Sequence, residues 1–305
     1  MNALIVGPGA IGSIMGFLLS ESGFDVSFFH PDRKRVEELS GIKLVFPDGS
    51  TRVLRRRFFH RDNLEGEFDA VFFTVKAYQL RCALDYVLSR SIDFELLIFM
   101  QNGLGHVEIV SNLNIPRNRV FFGVTTNGGF RKEKNVVYVT NAHGDTVLAP
   151  FEKGQTLPDW LKLDWISYHP SYSSVLWTKA VVNAAVNPLT GVIEAENGRL
   201  LEERFFRIVE RVVNEIELLA SSLNIKFLVD SPLNEVRRVL IMTQKNRSSM
   251  LQDIENGRRT ENDYITGYIV KLGRSLGIEM PANEALYNLV KIKEGANNES
   301  NTGSC

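Results

Sequence analysis

Residues 4–19 read LIVGPGAIGSIMGFLL, an apolar run that enters a glycine-rich turn and leaves it as a helical pattern. Gly7, Gly9 and Gly12 match G-x-G-x-x-G in the strand–turn–helix context which that motif requires. Gly7 permits the tight turn, Gly9 the close approach of a pyrophosphate, and Gly12 close packing of helix on strand. Free amides and the positive end of the helix dipole then attract phosphate. A purely structural turn also favours glycine, but the motif's place at the head of an alternating strand–helix pattern favours dinucleotide binding. Gly7, Pro8, Gly9, Ala10, Ile11 and Gly12 are the expected cofactor-binding segment.

Outward from this turn, apolar runs at 3–6, 26–29, 70–75, 96–99 and 120–124 read as strands, with helices expected at 11–20, 78–88 and 105–113. Strands apolar on both faces belong to a parallel sheet covered by helices on each side. Residues 135–150 suggest an antiparallel extension and 165–168 a last strand. From about 171 the pattern turns helical, at 177–186, 200–223, 261–276 and 283–293. The expected fold class is α/β, an N-terminal Rossmann-type doubly wound sheet followed by an all-helical domain. The expected division is 1–168, 169–294 and a polar, glycine-rich, disordered tail at 295–305.

An NAD-specific site ends its second strand with a carboxylate that accepts the ribose 2′-hydroxyl. Here the sequence is Phe29-His30-Pro31-Asp32, followed by Arg33, Lys34 and Arg35. These cations suit a 2′-phosphate, so NADP(H) is the expected cofactor, with Arg33 as a contact. Any one of them taken singly suits a solvated helix turn equally well.

In WTKAVVNAAVNPLTGV, Lys179, Asn183 and Asn187 recur every four residues and form a stripe on one helical face. The intervening residues are apolar, so the helix is expected to be buried and its lysine to need a partner or a ligand. A lysine that reaches the surface and two asparagines near a helix end would explain the spacing as well. Pro188 is expected to end or kink this helix. A second polar cluster holds Asn246, Ser248, Ser249, Asp253 and Glu261. Thr260 or a neighbour capping the following helix, with Glu261 against its dipole, accounts for part of that cluster on structural grounds alone.

The 35 basic and 36 acidic residues nearly cancel, so neither nucleic acid nor a membrane surface is an expected partner. No apolar run reaches the roughly 18 residues of a membrane span. The N-terminus shows no signal-peptide pattern, and a cytoplasmic location is expected. No His/Cys/Asp cluster has metal-ligand spacing, so no metal is expected. The apolar helices of the second domain suit a homodimer interface or an intramolecular core.

GPGAIGS, TVKAYQ and QNGLG, then KAVVNAAVNPLTG with EAENG, then the SSMLQDIENGRRTE segment with Asp263, Tyr264, Ile265 and Gly267, together resemble the ketopantoate reductase family from the first strand to about Lys293. The resemblance implies an oxidoreductase that reduces 2-dehydropantoate to pantoate with NADPH, a step of pantothenate and coenzyme A biosynthesis. It implies a Rossmann domain and a helical domain with the site in the cleft between them. By the same resemblance Lys179 is the general acid, and Asn183, Asn187, Asn197 and Ser249, with Asn246, bind the substrate's carboxylate and hydroxyl. Asn102 bridges cofactor and substrate, Lys76 lies beside the cofactor phosphates, and Glu261 engages the nicotinamide ribose.

Two departures stand out. The family commonly places an arginine at the end of the second strand, where this chain has His30-Pro31, and a hydrophobic residue where it has Asn262. Two rival readings remain: reduction of another branched 2-oxo acid, and a non-catalytic NADPH sensor. Lys179 argues against the sensor, which needs no proton donor.

Overall fold

The glycine-rich segment lies at the centre of a parallel sheet whose strands are apolar on both faces. The computed structural model describes residues 1–38, 40–90 and 92–297. Its strands are β1 (Asn2–Val6), β2 (Asp25–Phe29), β3 (Ile42–Val45), β4 (Thr51–Leu54), β5 (Arg57–Phe59), β6 (Gly66–Phe73), β7 (Ile92–Phe99), β8 (Val120–Thr125), β9 (Gly128–Glu133), β10 (Val136–Asn141), β11 (Thr146–Pro150) and β12 (Ile166–Tyr168). The main sheet has the order β12-β11-β8-β7-β6-β1-β2-β5. All its pairings are parallel except β8 with β11. Strand order runs outward in both directions from β1, the doubly wound arrangement that right-handed crossovers generate.

Two units separate by contact density. The first comprises Met1–Gln101 and Leu113–Tyr172; the second takes Asn102–Asn112 and the chain from Ser173 onward. Thus the segment after β7 belongs with the helices, although its sequence sits among the strands. The division falls four residues after the expected 168/169 boundary.

Within the first unit, helix α1 (Ala10–Glu21) packs on the main sheet, while α2 (Arg33–Glu38) follows β2 and α3 (Leu80–Leu88) follows β6. A second sheet, β4-β3-β10-β9, covers the far side of α1. Ile14, Met15 and Leu19 of α1 share one core with Ile5 and Phe28 of the main sheet and with Leu44 and Val137 of the small one. The expected extension at 135–150 is therefore split. Thr146–Pro150 pairs antiparallel with β8, whereas Val136–Asn141 joins the small sheet.

The second unit holds α4 (Gly105–Ser111), α5 (Tyr172–Ile193), α6 (Glu203–Ser222), α7 (Pro232–Met242), α8 (Ser249–Glu255), α9 (Thr266–Ser275) and α10 (Pro281–Asn297). Pro188 does not end α5, which continues to Ile193. Its missing N–H costs about 3 kcal/mol. Burial of Ala184, Ala185, Val186 and Leu189 around it offsets that cost, at roughly 1.5–3 kcal/mol for each large side chain. The expected helix at 261–276 begins only at Thr266, because residues 261–265 form a separate turn closed by Tyr264 and Ile265 amides on the Glu261 carbonyl. Thr260 does not cap it; its amide and hydroxyl both donate to the Glu294 carboxylate. Helix α10 reaches Asn297, three residues into the stretch expected to be disordered, and the rest of that stretch lies outside the described residues.

Aromatic rings lock the parallel strands. Phe99 of β7 is fully buried, 5.1 Å from the Phe73 ring and 6.0 Å from that of Phe122. Phe99→Ala should destabilise the first unit by about 3–5 kcal/mol, read from urea denaturation followed by circular dichroism. A loss of only about 1.5–3 kcal/mol would mean that the ring contributes its buried area alone, and one under about 1 kcal/mol would overturn its role in the core.

Candidate active site

Elementary sterics decide the shape of the glycine turn. Gly7 has φ +101°, and a Cβ there would stand 2.6 Å from Val75 Cγ1. A Cβ on Gly12 would stand 2.2 Å from the Gly7 carbonyl oxygen and 2.5 Å from Thr74 Oγ1. Gly9 is different, since the nearest atom to its added Cβ is 3.9 Å away. It faces open space, where a bulky group would approach the backbone. Gly9 is also the N-cap of α1 and offers no side-chain cap, so the first-turn amides of Ala10, Ile11 and Gly12 have no intrahelical acceptor. Open backbone plus free amides is the donor set a pyrophosphate needs, and the turn fits a dinucleotide. Lys76 follows Val75, whose backbone packs against Gly7.

At the end of β2, His30 Nδ1 accepts from the Asp32 amide at 3.1 Å. Burial first, then the Arg35 guanidinium, hold the His30 pKa below the usual histidine range, with Asp32 opposing and Arg131 adding to the fall. Asp32 caps α2, accepting the Lys34 and Arg35 amides at 2.9 and 3.3 Å. Arg33 is exposed and pairs with Glu37 at 2.8 Å. Arg35 donates to the Lys134 carbonyl at 2.8 Å. Arg131, which the sequence reading passed over, donates to the Pro8 carbonyl inside the glycine turn.

The second unit gathers its own polar set. Asn183 and Asn187 are buried on the α5 stripe, at 8% and 7% exposure. Asn183 Nδ2 lies 3.4 Å from Asn102 Oδ1, and Asn102 Nδ2 donates to Glu261 Oε2 at 3.0 Å. This Asn183–Asn102–Glu261 chain needs the turn at 102–105 pressed against 261–265. Gly103 allows it: at φ +83° its Cβ would stand 2.2 Å from the Tyr264 carbonyl oxygen, which accepts from the Leu104 and Gly105 amides at 2.9 and 3.1 Å. Asn262, the departure from the family pattern, is fully buried and donates to the Tyr287 carbonyl at 3.0 Å.

Asn197 and Asn246 are neighbours. The Asn197 amide donates to the Asn246 carbonyl at 2.9 Å, and its side chain donates to Thr243 Oγ1 at 3.0 Å. Its Oδ1 is buried with no hydrogen-bond partner among the described residues. Such an orphan acceptor costs about 1–3 kcal/mol unless a ligand satisfies it. Ser249 is exposed and opens α8, just after the cap residue Ser248. The Ser248 and Thr190 hydroxyls lie 2.7 Å apart and tie α8 to α5. Thr190 falls three residues after Asn187, so helical spacing was a signal that could have found it.

Lys179 forms no hydrogen bond or ion pair among the described residues, nor does the Asn187 side chain form a hydrogen bond. Desolvation lowers the Lys179 pKa from the usual lysine value, and the Glu235 carboxylate on α7 partly restores it. That carboxylate is itself held by Arg238 at 2.6 and 2.7 Å. Lys179, Asn187 and Ser249 thus stand apart from the hydrogen-bonded groups. Among the described residues no group of histidine, cysteine and carboxylate side chains could hold a metal, and no helix is long and apolar enough to cross a membrane.

The family model described as ketopantoate reductase PanE/ApbA matches residues 3–153, and its C-terminal counterpart matches 172–294. A 2-dehydropantoate 2-reductase of Vibrio cholerae is 31% identical over 302 residues, covering 96% of this chain and 98% of that protein. One of Archaeoglobus fulgidus is 31% identical over 297 residues, covering 94% and 96%. Among solved structures, D-mandelate dehydrogenase with NADH and anilino(oxo)acetate has TM-score 0.88 at 24% identity, covering 98% of this chain and 100% of that one. A probable 2-dehydropantoate 2-reductase of Bacillus subtilis has TM-score 0.80 at 26% identity, covering 96% and 100%.

Because Asn102 and Glu261 share one hydrogen bond, their removal should not be additive. Asn102→Ala and Glu261→Ala combined should cost less than the two single losses together, with a coupling of about 0.5–3 kcal/mol in a double-mutant cycle read by urea denaturation. Additive losses would mean that the bond does not hold the turn at 102–105 in place.

Proposed function

Since the chain belongs to the ketopantoate reductase family, and is thereby an oxidoreductase acting on a CH–OH group, we propose that it reduces 2-dehydropantoate to pantoate with NADPH and with Lys179 as general acid. The observation that carries this reading is a desolvated lysine without a direct partner, on one helical stripe with two buried asparagines. A proton donor in reductive chemistry needs those properties.

When bound, NADPH supplies the hydride. The amides of α1 hold its pyrophosphate, with Lys76 beside the phosphates. Asn183, Asn187, Asn197, Asn246 and Ser249 hold the substrate's carboxylate and hydroxyl, and the acceptor left over on Asn197 suits a hydroxyl donor. Asn102 and Glu261 orient the nicotinamide ribose. Lys179 gives its proton to the ketone oxygen, and its ammonium stabilises the negative charge that develops there. Desolvation makes that proton easier to release, and the Glu235 carboxylate opposes part of that fall. In this reading residues 1–168 bind the cofactor and 169–294 the substrate, except that Glu261 of the second stretch engages the nicotinamide ribose. A cytoplasmic homodimer belongs to the same proposal, and sedimentation velocity tests the dimer.

A second reading keeps the chemistry and changes the substrate. D-mandelate dehydrogenase, with a similar fold, holds NADH and an aryl-amide derivative of a 2-oxo acid. A panel of 2-oxo acids assayed with NADPH and with NADH separates the two readings, and absence of turnover on all of them would leave only a sensor.

Lys179→Ala should lower kcat by about 10²–10⁴-fold and leave the NADPH Kd unchanged, because the lysine acts as charge develops in the transition state. In the wild type, kcat should fall as pH rises through the Lys179 pKa, since the acid form donates; that limb should lie below the range of an ordinary lysine. A folded Lys179→Ala protein with near-normal kcat, or a rate independent of pH over that range, would overturn the assignment.

A further inference from the structure

We propose that Glu294, on the last helix, is a positioning residue for the Glu261 carboxylate: by accepting from Thr260 it fixes the turn from which that carboxylate reaches Asn102. The inference rests on the reading above in which Glu261 engages the nicotinamide ribose.

A side chain can hold a ligand group in one place only if its own backbone is held. The residues on both sides of Glu261 are tied down, largely by α10. Glu294 Oε1 accepts from the Thr260 amide at 2.8 Å and from the Thr260 hydroxyl at 2.7 Å. With its one proton given to Glu294, the Thr260 hydroxyl oxygen accepts from the Asn262 amide at 3.1 Å. Asn262 Nδ2 donates to the Tyr287 carbonyl at 3.0 Å, and the Tyr287 hydroxyl donates to Asp263 Oδ1 at 3.0 Å. Lys291 lies between two carboxylates, 3.2 Å from Asp263 and 3.2 Å from Glu294. Tyr287, Lys291 and Glu294 are spaced by four and three residues, so they share one face of α10, and that face holds residues 260, 262 and 263. The Glu261 carboxylate in turn accepts from Asn102 at 3.0 Å, and the Asn102 oxygen lies 3.4 Å from Asn183 Nδ2.

Packing alone does not call for this polar face. Val290 of α10 is buried against Met250 and Ile254 of α8. The start of α10 is secured by Glu215, which accepts the Ala282 and Asn283 amides at 2.8 and 3.0 Å. Glu294 is nonetheless a carboxylate at 6% exposure, and burying one is costly unless it is bonded and paired. Both bonds to its Oε1 come from Thr260, the residue immediately before Glu261. Thr260 and Asn262 are themselves buried, so water has little access to replace a lost acceptor. Without Glu294, two Thr260 donors would be left unsatisfied, and the turn would shift to relieve them. A displacement of about 1 Å is enough to forfeit a positioned contact.

Isothermal titration of the full chain with NADPH and with 2′,5′-ADP, a probe that lacks the nicotinamide half, reads this without turnover. Should the wild type prefer NADH, NADH and ADP take the same roles. Glu261→Ala is the reference: it should raise the NADPH Kd by about tenfold and leave 2′,5′-ADP within about twofold. Glu294→Ala should reproduce that pattern. In the Glu261→Ala background it should add less than about twofold, because it acts through a carboxylate already removed. Glu294→Gln should stay within about threefold of wild type, since its amide oxygen can accept both Thr260 donors. If Glu261→Ala leaves the NADPH Kd unchanged, the ribose reading fails and this inference with it. If Glu261→Ala weakens NADPH but Glu294→Ala does not, the inference alone fails. It fails also if Glu294→Ala weakens both ligands alike, if its effect adds in full to that of Glu261→Ala, or if Glu294→Gln is as damaging as Glu294→Ala. Should thermal unfolding show Glu294→Ala to be misfolded, Thr260→Val decides. It removes the hydroxyl that Glu294 holds, and unchanged NADPH binding there overturns the proposal.

Discussion

No side chain fits at Gly12. With 2.2 Å between its would-be Cβ and the Gly7 carbonyl oxygen, helix α1 can approach β1 only through bare backbone, and everything in the first unit follows from that approach. It sets the first-turn amides above the turn. It also lets Gly16 meet the Phe28 ring, where an added Cβ would stand 2.5 Å from Cζ. The helix lies low on the main sheet, so its outer face is left for another layer. Ile14, Met15 and Leu19 join both layers into one core. The small sheet is that outer layer, and its position over α1 brings Arg131 to the turn.

The second unit repeats the device with a different glycine. Gly103 leaves room for the Tyr264 carbonyl, and two amides close on that oxygen. The bonds draw Asn102 out of the Rossmann-type unit's sequence and into the helical unit's polar set. A residue that follows a sheet strand in the chain is in this way fixed by the same turn that carries Glu261. The Asn102–Glu261 bond is partly buried and joins the two turns through their side chains.

Much of this was legible because it follows strict local rules. Apolar runs and glycine spacing located β1, β2, β6, β7 and β8, and fourfold spacing located the α5 stripe. The strands β3, β4, β5 and β9 were missed, though Ile42–Val45 and Thr51–Leu54 flank Pro47-Asp48-Gly49-Ser50, a hairpin signal in which Gly49 takes φ +82°. Of the two outcomes expected at Pro188, an end or a kink, the helix does not end there, because burial outweighs the local propensity to stop. Arg131 had no local signal. Strand alternation marks it only as exposed, and its meaning comes from a fold that returns β9 over α1 from more than a hundred residues away. Asn262 is similar: a polar residue in an apolar slot makes sense only once the Tyr287 carbonyl is beside it.

The charge around Lys179 is governed by burial and by one carboxylate that does not touch it. A lysine bonded to its own carboxylate would be stabilised in the protonated form and slow to give its proton up, whereas one wholly without a counter-charge would lose the proton on burial. Glu235 meets neither extreme. Its carboxylate is held by two bonds from Arg238, so it acts on Lys179 through space and forms no contact pair with it. Burial lowers the lysine's pKa, and that distant carboxylate opposes part of the fall. The same logic explains the buried asparagines beside it on α5, since neutral amides provide hydrogen bonds without adding a charge that would move the lysine toward either extreme.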